Sequence, residues 1–397
     1  MWSDGPGEPR TLVDAIIAAQ DRLDRVRVYL GSIMSKSLDQ VRPGPLRWES
    51  YGAVMETASL AARGLLSIIP HHYSMIGSLI EDGTLRPDVV IIQVTPPDER
   101  GRHSLGVVVD HMPWAIRRAR LVIAEVNPLM PWTDGEAVIP GDAIHHRIPV
   151  SRPLLEFTPI LPGPVEHAIA ANLEPFVPDR AVIQMGIGAL PNAVAGVLSK
   201  KKDLGIHSGI FGEAYMDLIE AGAVTNRYKE IDQGLSVTTF FIGRKRLYDF
   251  VNRNPTIHTQ TVPYTHGPRA HAAFNCLVAI NAAVEVDLTG QVNCEWADGR
   301  WVGATGGQGD FQRGAINSPR GRGIVALRST APGKKSRIVP RLEGPVSVAR
   351  ADADLVVTEY GAAELRGRTL DERARALIAV AHPDHRRGLA AALDQLT

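Results

Sequence analysis

Short runs of β-branched and aliphatic residues recur along the chain, each closed by turn formers and separated by helix-like segments. The clearest runs are Val89 to Val94, Leu121 to Val126, Ala181 to Met185, Gly323 to Leu327 and Leu355 to Thr358. They are mainly apolar rather than alternating, the pattern of strands covered on both faces. Helices are expected between them, over Thr11 to Arg25, Pro191 to Lys200, Ala214 to Ala221 and Leu370 to Ala381. This alternation predicts an α/β fold of open, mostly parallel sheets.

The chain has 397 residues, more than one growing core usually serves, so two domains are expected. Residues 151 to 166 carry four prolines and read as an extended connector. The expected division is an N-terminal α/β domain over 1–150, the connector over 151–166, and a C-terminal α/β domain over 167–397. No short-period repeat interrupts it.

Charge changes the picture only by exclusion. Lys+Arg and Asp+Glu both count 43, so no basic excess asks for nucleic acid or an anionic membrane. No apolar run is long enough to span a bilayer. The opening residues, Met1 to Pro6, lack a basic segment followed by an apolar one, and the cytosol is the expected compartment. Cys276 and Cys294 are too few for a disulfide framework. Thirteen histidines form no metal-ligand spacing, and no metal is expected.

Four segments could carry chemistry. Gly186-Ile187-Gly188 follows a strand and opens a helix, where backbone N–H groups could cradle a phosphate or an oxyanion. It is not the dinucleotide fingerprint, because Pro191 stands where the third glycine belongs. The stretch from Gly303 to Phe311 holds four glycines in nine residues and could wrap a cofactor with main-chain donors. His207 to Glu213 ends at a carboxylate suited to a nucleophile or a base, or to a plain helix-start charge. Glu359 sits at a strand tip, where α/β sheets collect ligands, or serves as an ion-pair partner. Trp296 and Trp301 precede the glycine loop and fit an aromatic pocket or ordinary core packing.

These segments, in this order, resemble the acetyl-CoA hydrolase/4-hydroxybutyrate CoA-transferase family. The likeness runs from GEPRTLVDAI (7–16) through QMGIGALPNAV (184–194), KKDLGIHSG (201–209) and GATGGQGDFQRGA (303–315) to VVTEYGAAELRGRT (356–369). It implies two open α/β domains of the CoA-transferase type with a CoA thioester as substrate. Gly186, Ile187 and Gly188 would supply oxyanion-hole amides. Gly303, Thr305, Gly306, Gly307 and Gln308 would approach the CoA moiety. The family's transferases pass CoA through a glutamate that becomes a glutamyl-CoA thioester, splitting one hard exchange into two acyl transfers.

Two departures follow from the resemblance. Gly209 stands where the family's nucleophilic glutamate belongs, and the segment before GEP is shorter than the family's opening strand and helix. Glycine cannot form the covalent intermediate, and its missing side chain is expected to leave room for an acceptor. The expected reaction is therefore direct attack on an acyl-CoA by water, an amine or an alcohol, with Glu213, His207 or Glu295 as base. The alternatives are a CoA-transferase using Glu213 and a non-catalytic CoA-binding relative. A homodimer is the base-rate expectation.

Overall fold

The computed structural model describes residues 1–393. Its N-terminal half holds two three-stranded parallel sheets. One orders Val89–Val94, Leu121–Val126 and His146–Pro149; the other orders Arg27–Leu30, Arg47–Ser50 and Leu66–Ile68. The apolar runs have a direct cause. From Val89–Val94, the side chains of Val90, Ile92 and Val94 enter a core with Ile76, Ile80 and Val122. Ile91 points the other way, into a core with Trp2, Val13 and Ile17. Alternate side chains thus leave opposite faces, and both faces are covered.

The C-terminal half is built on a six-stranded sheet. Its order is Gly205–Ile206, Val182–Met185, Leu277–Ala282, Arg322–Ala326, Leu355–Thr358 and Gly361–Glu364. All neighbours are parallel except the last pair. Here too the runs feed two cores: Ile324, Ala326, Leu355 and Val357 face one, while Val325 and Val356 face the other.

The expected helices form, with shifted ends. The first runs over Arg10–Ala18 rather than to residue 25. It stops where the Gln20 side chain turns back, its amide nitrogen donating to the Ile17 carbonyl at 2.8 Å. That local bond satisfies a terminal carbonyl and competes with a further turn. Residues 151–163 carry no regular structure, and a helix opens at Pro164, within the expected connector. Glu166 explains the start, because its carboxylate accepts from the Gly163 N–H at 2.9 Å.

Hydrogen bonds tie the two halves together. Asp134–Gly135 pairs with the strand Ile257–Thr259, and the Ala53 N–H donates to the Gly303 carbonyl at 2.9 Å. Among the described residues no helix is long and apolar enough to cross a membrane.

Candidate active site

The strand Val182–Met185 ends at the turn Gly186-Ile187-Gly188, which enters the helix Ala189–Leu198. Gly188 has φ +115°, a conformation open essentially to glycine alone. No protein atom lies within 4 Å of the position a Cβ would take at Gly186 or Gly188. This turn therefore faces open space, as a cradle for a ligand requires.

Gly209 reaches the same end of the sheet. Ile206 pairs with Ile183, and the Ser208 hydroxyl lies 3.3 Å from the Met185 carbonyl. Against expectation, the space at Gly209 is filled. A Cβ there would stand 2.5 Å from Nε2 of His266, and a Cβ at Gly307 would stand equally close to the same atom. The imidazole lies between the two glycines, with its centroid 4.8 Å from the Phe311 ring and 5.3 Å from the Tyr73 ring.

The second glycine segment is clamped at both ends. A side chain at Gly303 would collide with the Cys294 carbonyl, and one at Gly309 would come within 2.8 Å of His72. The Tyr73 N–H donates to the Gly306 carbonyl at 3.0 Å. Asp310, in the helix Gln308–Asn317, accepts from the Ser74 N–H and hydroxyl at 3.0 and 2.7 Å. Several glycines of this loop thus answer to close packing inside the protein. Thr305 and Gly309 nevertheless line a cleft of about 610 Å³, together with His71, His72 and Arg313. Both halves of the molecule contribute to it. Gln308 presents a buried side-chain amide nitrogen without a protein partner.

The nominated acid–base residues are committed elsewhere. Glu213 is buried at the start of the helix Glu213–Glu220. It accepts from Arg244 Nε and Nη2 at 2.9 and 2.6 Å, from the Arg244 N–H at 2.9 Å, and from Arg246 Nη1 at 3.5 Å. Burial pushes its pKa up, but these bonds and the two guanidinium charges outweigh that and hold it below the ordinary value. His207 is wholly enclosed, with Nε2 3.0 Å from the Thr265 carbonyl and its ring against Tyr264, His271 and Phe274. Burial first, and then the Lys229 charge, drive its pKa well below the usual range.

Glu295 accepts from Thr305 Oγ1 at 3.0 Å and Ser347 Oγ at 2.7 Å, so it holds the glycine loop. Glu359 receives the Ser329 N–H and hydroxyl at 2.9 and 2.6 Å. Cys294, beside the loop, has its thiol pushed up to about 12, chiefly by burial, and is no thiolate. Trp296 and Trp301 pair edge to face at 5.1 Å across a short hairpin.

The Glu213 cluster makes a prediction about acid stability. The folded pKa is depressed below an unfolded value near 4.5, so its stabilisation is complete above that pH. It is lost as pH falls through the lower folded value. Glu213→Gln is expected to have a lower urea midpoint at pH 7 and a flatter decline on acidification. Identical pH dependence in the two proteins would show that the arginine cluster contributes nothing.

Sequence reasoning missed His266. Its only local signal is a turn bounded by Pro263 and Pro268, and nothing in that stretch reveals contact with Gly209 or Gly307. It also missed the group of buried Tyr29, Tyr51 and Asp110 with the half-buried Tyr73, which lies scattered along the N-terminal half.

Parallel α/β sheets in two halves, with glycine turns at a strand end and along an inter-half cleft, define a CoA-transferase-type fold. The chain belongs to the acetyl-CoA hydrolase/transferase family. The N-terminal domain model of that family matches residues 1–160 and the C-terminal domain model matches 243–393. The 4-hydroxybutyrate coenzyme A transferase of Clostridium kluyveri is 40% identical over 98% of this chain and 92% of its own. RipA from Yersinia pestis has a solved structure with 35% identity and TM-score 0.93, matching all of this chain and 93% of that one. The 4-hydroxybutyrate CoA-transferase structure from Porphyromonas gingivalis has 33% identity and TM-score 0.82, with the same coverage. The chain is an enzyme of this transferase or hydrolase kind.

Proposed function

We infer that this enzyme moves the acyl group of a CoA thioester directly to an acceptor, without a glutamyl-CoA intermediate. One observation carries the reading: the His266 ring sits over Gly209, where the resemblance implies the nucleophilic carboxylate. No nominated carboxylate is free to replace it. Glu213 is bound by two arginines and Glu295 by two hydroxyls. A nucleophile stabilised as an anion by arginines is a poor one, because attack must first give up those bonds.

Acyl-CoA would enter the inter-half cleft beside Thr305 and Gly309, with the thioester carbonyl toward the Gly186-Ile187-Gly188 amides. The acceptor is water, an amine or an alcohol. Its X–H adds to the carbonyl carbon, the C–S bond breaks, and the proton ends on the CoA thiol.

The test is intact-mass analysis during turnover of an acyl-CoA panel, with and without a carboxylate acceptor. Free CoA without any protein adduct is expected. An adduct of protein plus CoA minus water, abolished by Glu213→Gln, would establish a transferase with a relocated nucleophile and overturn the reading.

A further inference from the structure

The imidazole that fills the Gly209 site is buried and oriented. His266 follows the short helix Val262–Thr265, and its N–H donates to the Val262 carbonyl at 2.9 Å. Its Nδ1 lies 2.8 Å from the Thr265 hydroxyl, whose distances to the Thr261 and Val262 carbonyls are 3.3 and 3.4 Å. We assign the hydroxyl proton to Nδ1, its nearest neighbour, which places the ring proton on Nε2. Nε2 has no hydrogen-bond partner among the described residues. It points at the gap between Gly209 and Gly307, and side chains at both positions would exclude it.

We propose that His266 Nε2–H donates a hydrogen bond to the thioester carbonyl oxygen of the bound acyl-CoA and stabilises the oxyanion formed when the acceptor attacks. The proposal rests on the acyl-CoA reading above. As the new bond forms at the carbonyl carbon, the C=O π pair moves onto oxygen, facing Nε2–H. When the carbonyl re-forms, the electron pair of the C–S bond leaves with sulfur and takes up the acceptor's proton. His266 keeps its own proton throughout.

Two physical facts favour a donor over a base. Burial, followed by the nearby His271, lowers the His266 pKa to about 3, so the ring is neutral at any working pH. A base would have to become a cation between Phe311 and Tyr73, where charge is costly, whereas a donor changes no charge. A neutral imidazole held in one tautomer is an established kind of electrophile. In this site a glycine replaces a nucleophilic side chain and an N–H takes up the vacated volume. The chemistry shifts from covalent relay to polarisation of the carbonyl.

The decisive probe is a ketone analogue of acetyl-CoA, with CH₂ in place of sulfur and carbon-13 at the carbonyl. It binds without reacting, so the carbonyl can be read by NMR and infrared spectroscopy. Bound to the wild type, its carbonyl resonance is expected to move downfield and its stretching frequency to fall. His266→Gln keeps an N–H near the Nε2 position and is expected to retain part of both shifts. His266→Leu, which fills the space without a donor, is expected to lose them while binding the analogue within about tenfold. Acyl-CoA turnover by His266→Leu should fall about 100-fold in kcat with KM little changed, the loss typical of one oxyanion donor. His266→Ala serves as a second, smaller donor-free variant should leucine disturb folding. Unchanged carbonyl signals in the donor-free variants would overturn the proposal and leave the acyl-CoA reading standing. Failure of the wild type to bind the analogue would overturn both.

Discussion

Glutamate introduced at position 209 alone is expected to give no exchange of CoA between carboxylates, while Gly209→Glu combined with His266→Gly is expected to create it. The backbone at 209 is not left-handed, so only space forbids a side chain there. That space is occupied by the His266 ring, which Phe311 and Tyr73 hold from two sides. Forcing even a Cβ into it should cost about 1–3 kcal/mol of stability through displaced packing. The lengthened side chain would also be turned away from the thioester. Removing the imidazole clears the volume for the carboxylate.

In the double variant, intact mass should show a CoA adduct formed with loss of water. Exchange should exceed that of either single variant at least about 100-fold, the low end of what a positioned catalytic group contributes. Strong exchange in Gly209→Glu alone would mean that His266 does not obstruct the position. Absence of exchange in a folded double variant would mean that the surrounding geometry has drifted from the transferase arrangement.

Gly186→Val is expected to fold like the wild type and lose acyl-CoA turnover by at least about 100-fold. The reasoning inverts that for Gly209. No protein atom lies within 4 Å of a Cβ at Gly186, and its φ is not left-handed, so the protein itself does not resist a side chain. A ligand cradled by the turn would resist it, because an isopropyl group would stand where the thioester meets the amides. Gly196, in the helix Ala189–Leu198, has equally open surroundings and supplies the control: Gly196→Val should leave turnover within about twofold. A melting temperature unchanged with activity lost identifies the open face of the turn as a binding face. Full activity in Gly186→Val would remove the turn from the site.

The sheets were legible because their physics is local and redundant. In Val89–Val94 both faces are buried, and a run whose one polar member is Gln93 can report little else. The turn at Gly186 was legible because a strand end, two glycines and a helix-starting proline adjoin in sequence. Candidate carboxylates were legible only as residue types. Glu213 reads equally as nucleophile or helix-start charge until Arg244 and Arg246 arrive from another segment and fix it as an anion. The glycine loop was legible as glycine, but not the reason for it. Gly303, Gly307 and Gly309 are small because Cys294, His266 and His72 press against them, the last two from segments far away in the chain.

By itself, then, the sequence determined the α/β architecture, the family and the absence of a side chain at 209. These depend on periodicity and on motifs carried within single segments. What stands at that position was decided only by tertiary structure. His266 meets Gly209, Gly307, Phe311 and Tyr73 because four separate elements pack there, and packing between distant segments leaves no periodic trace in any one of them.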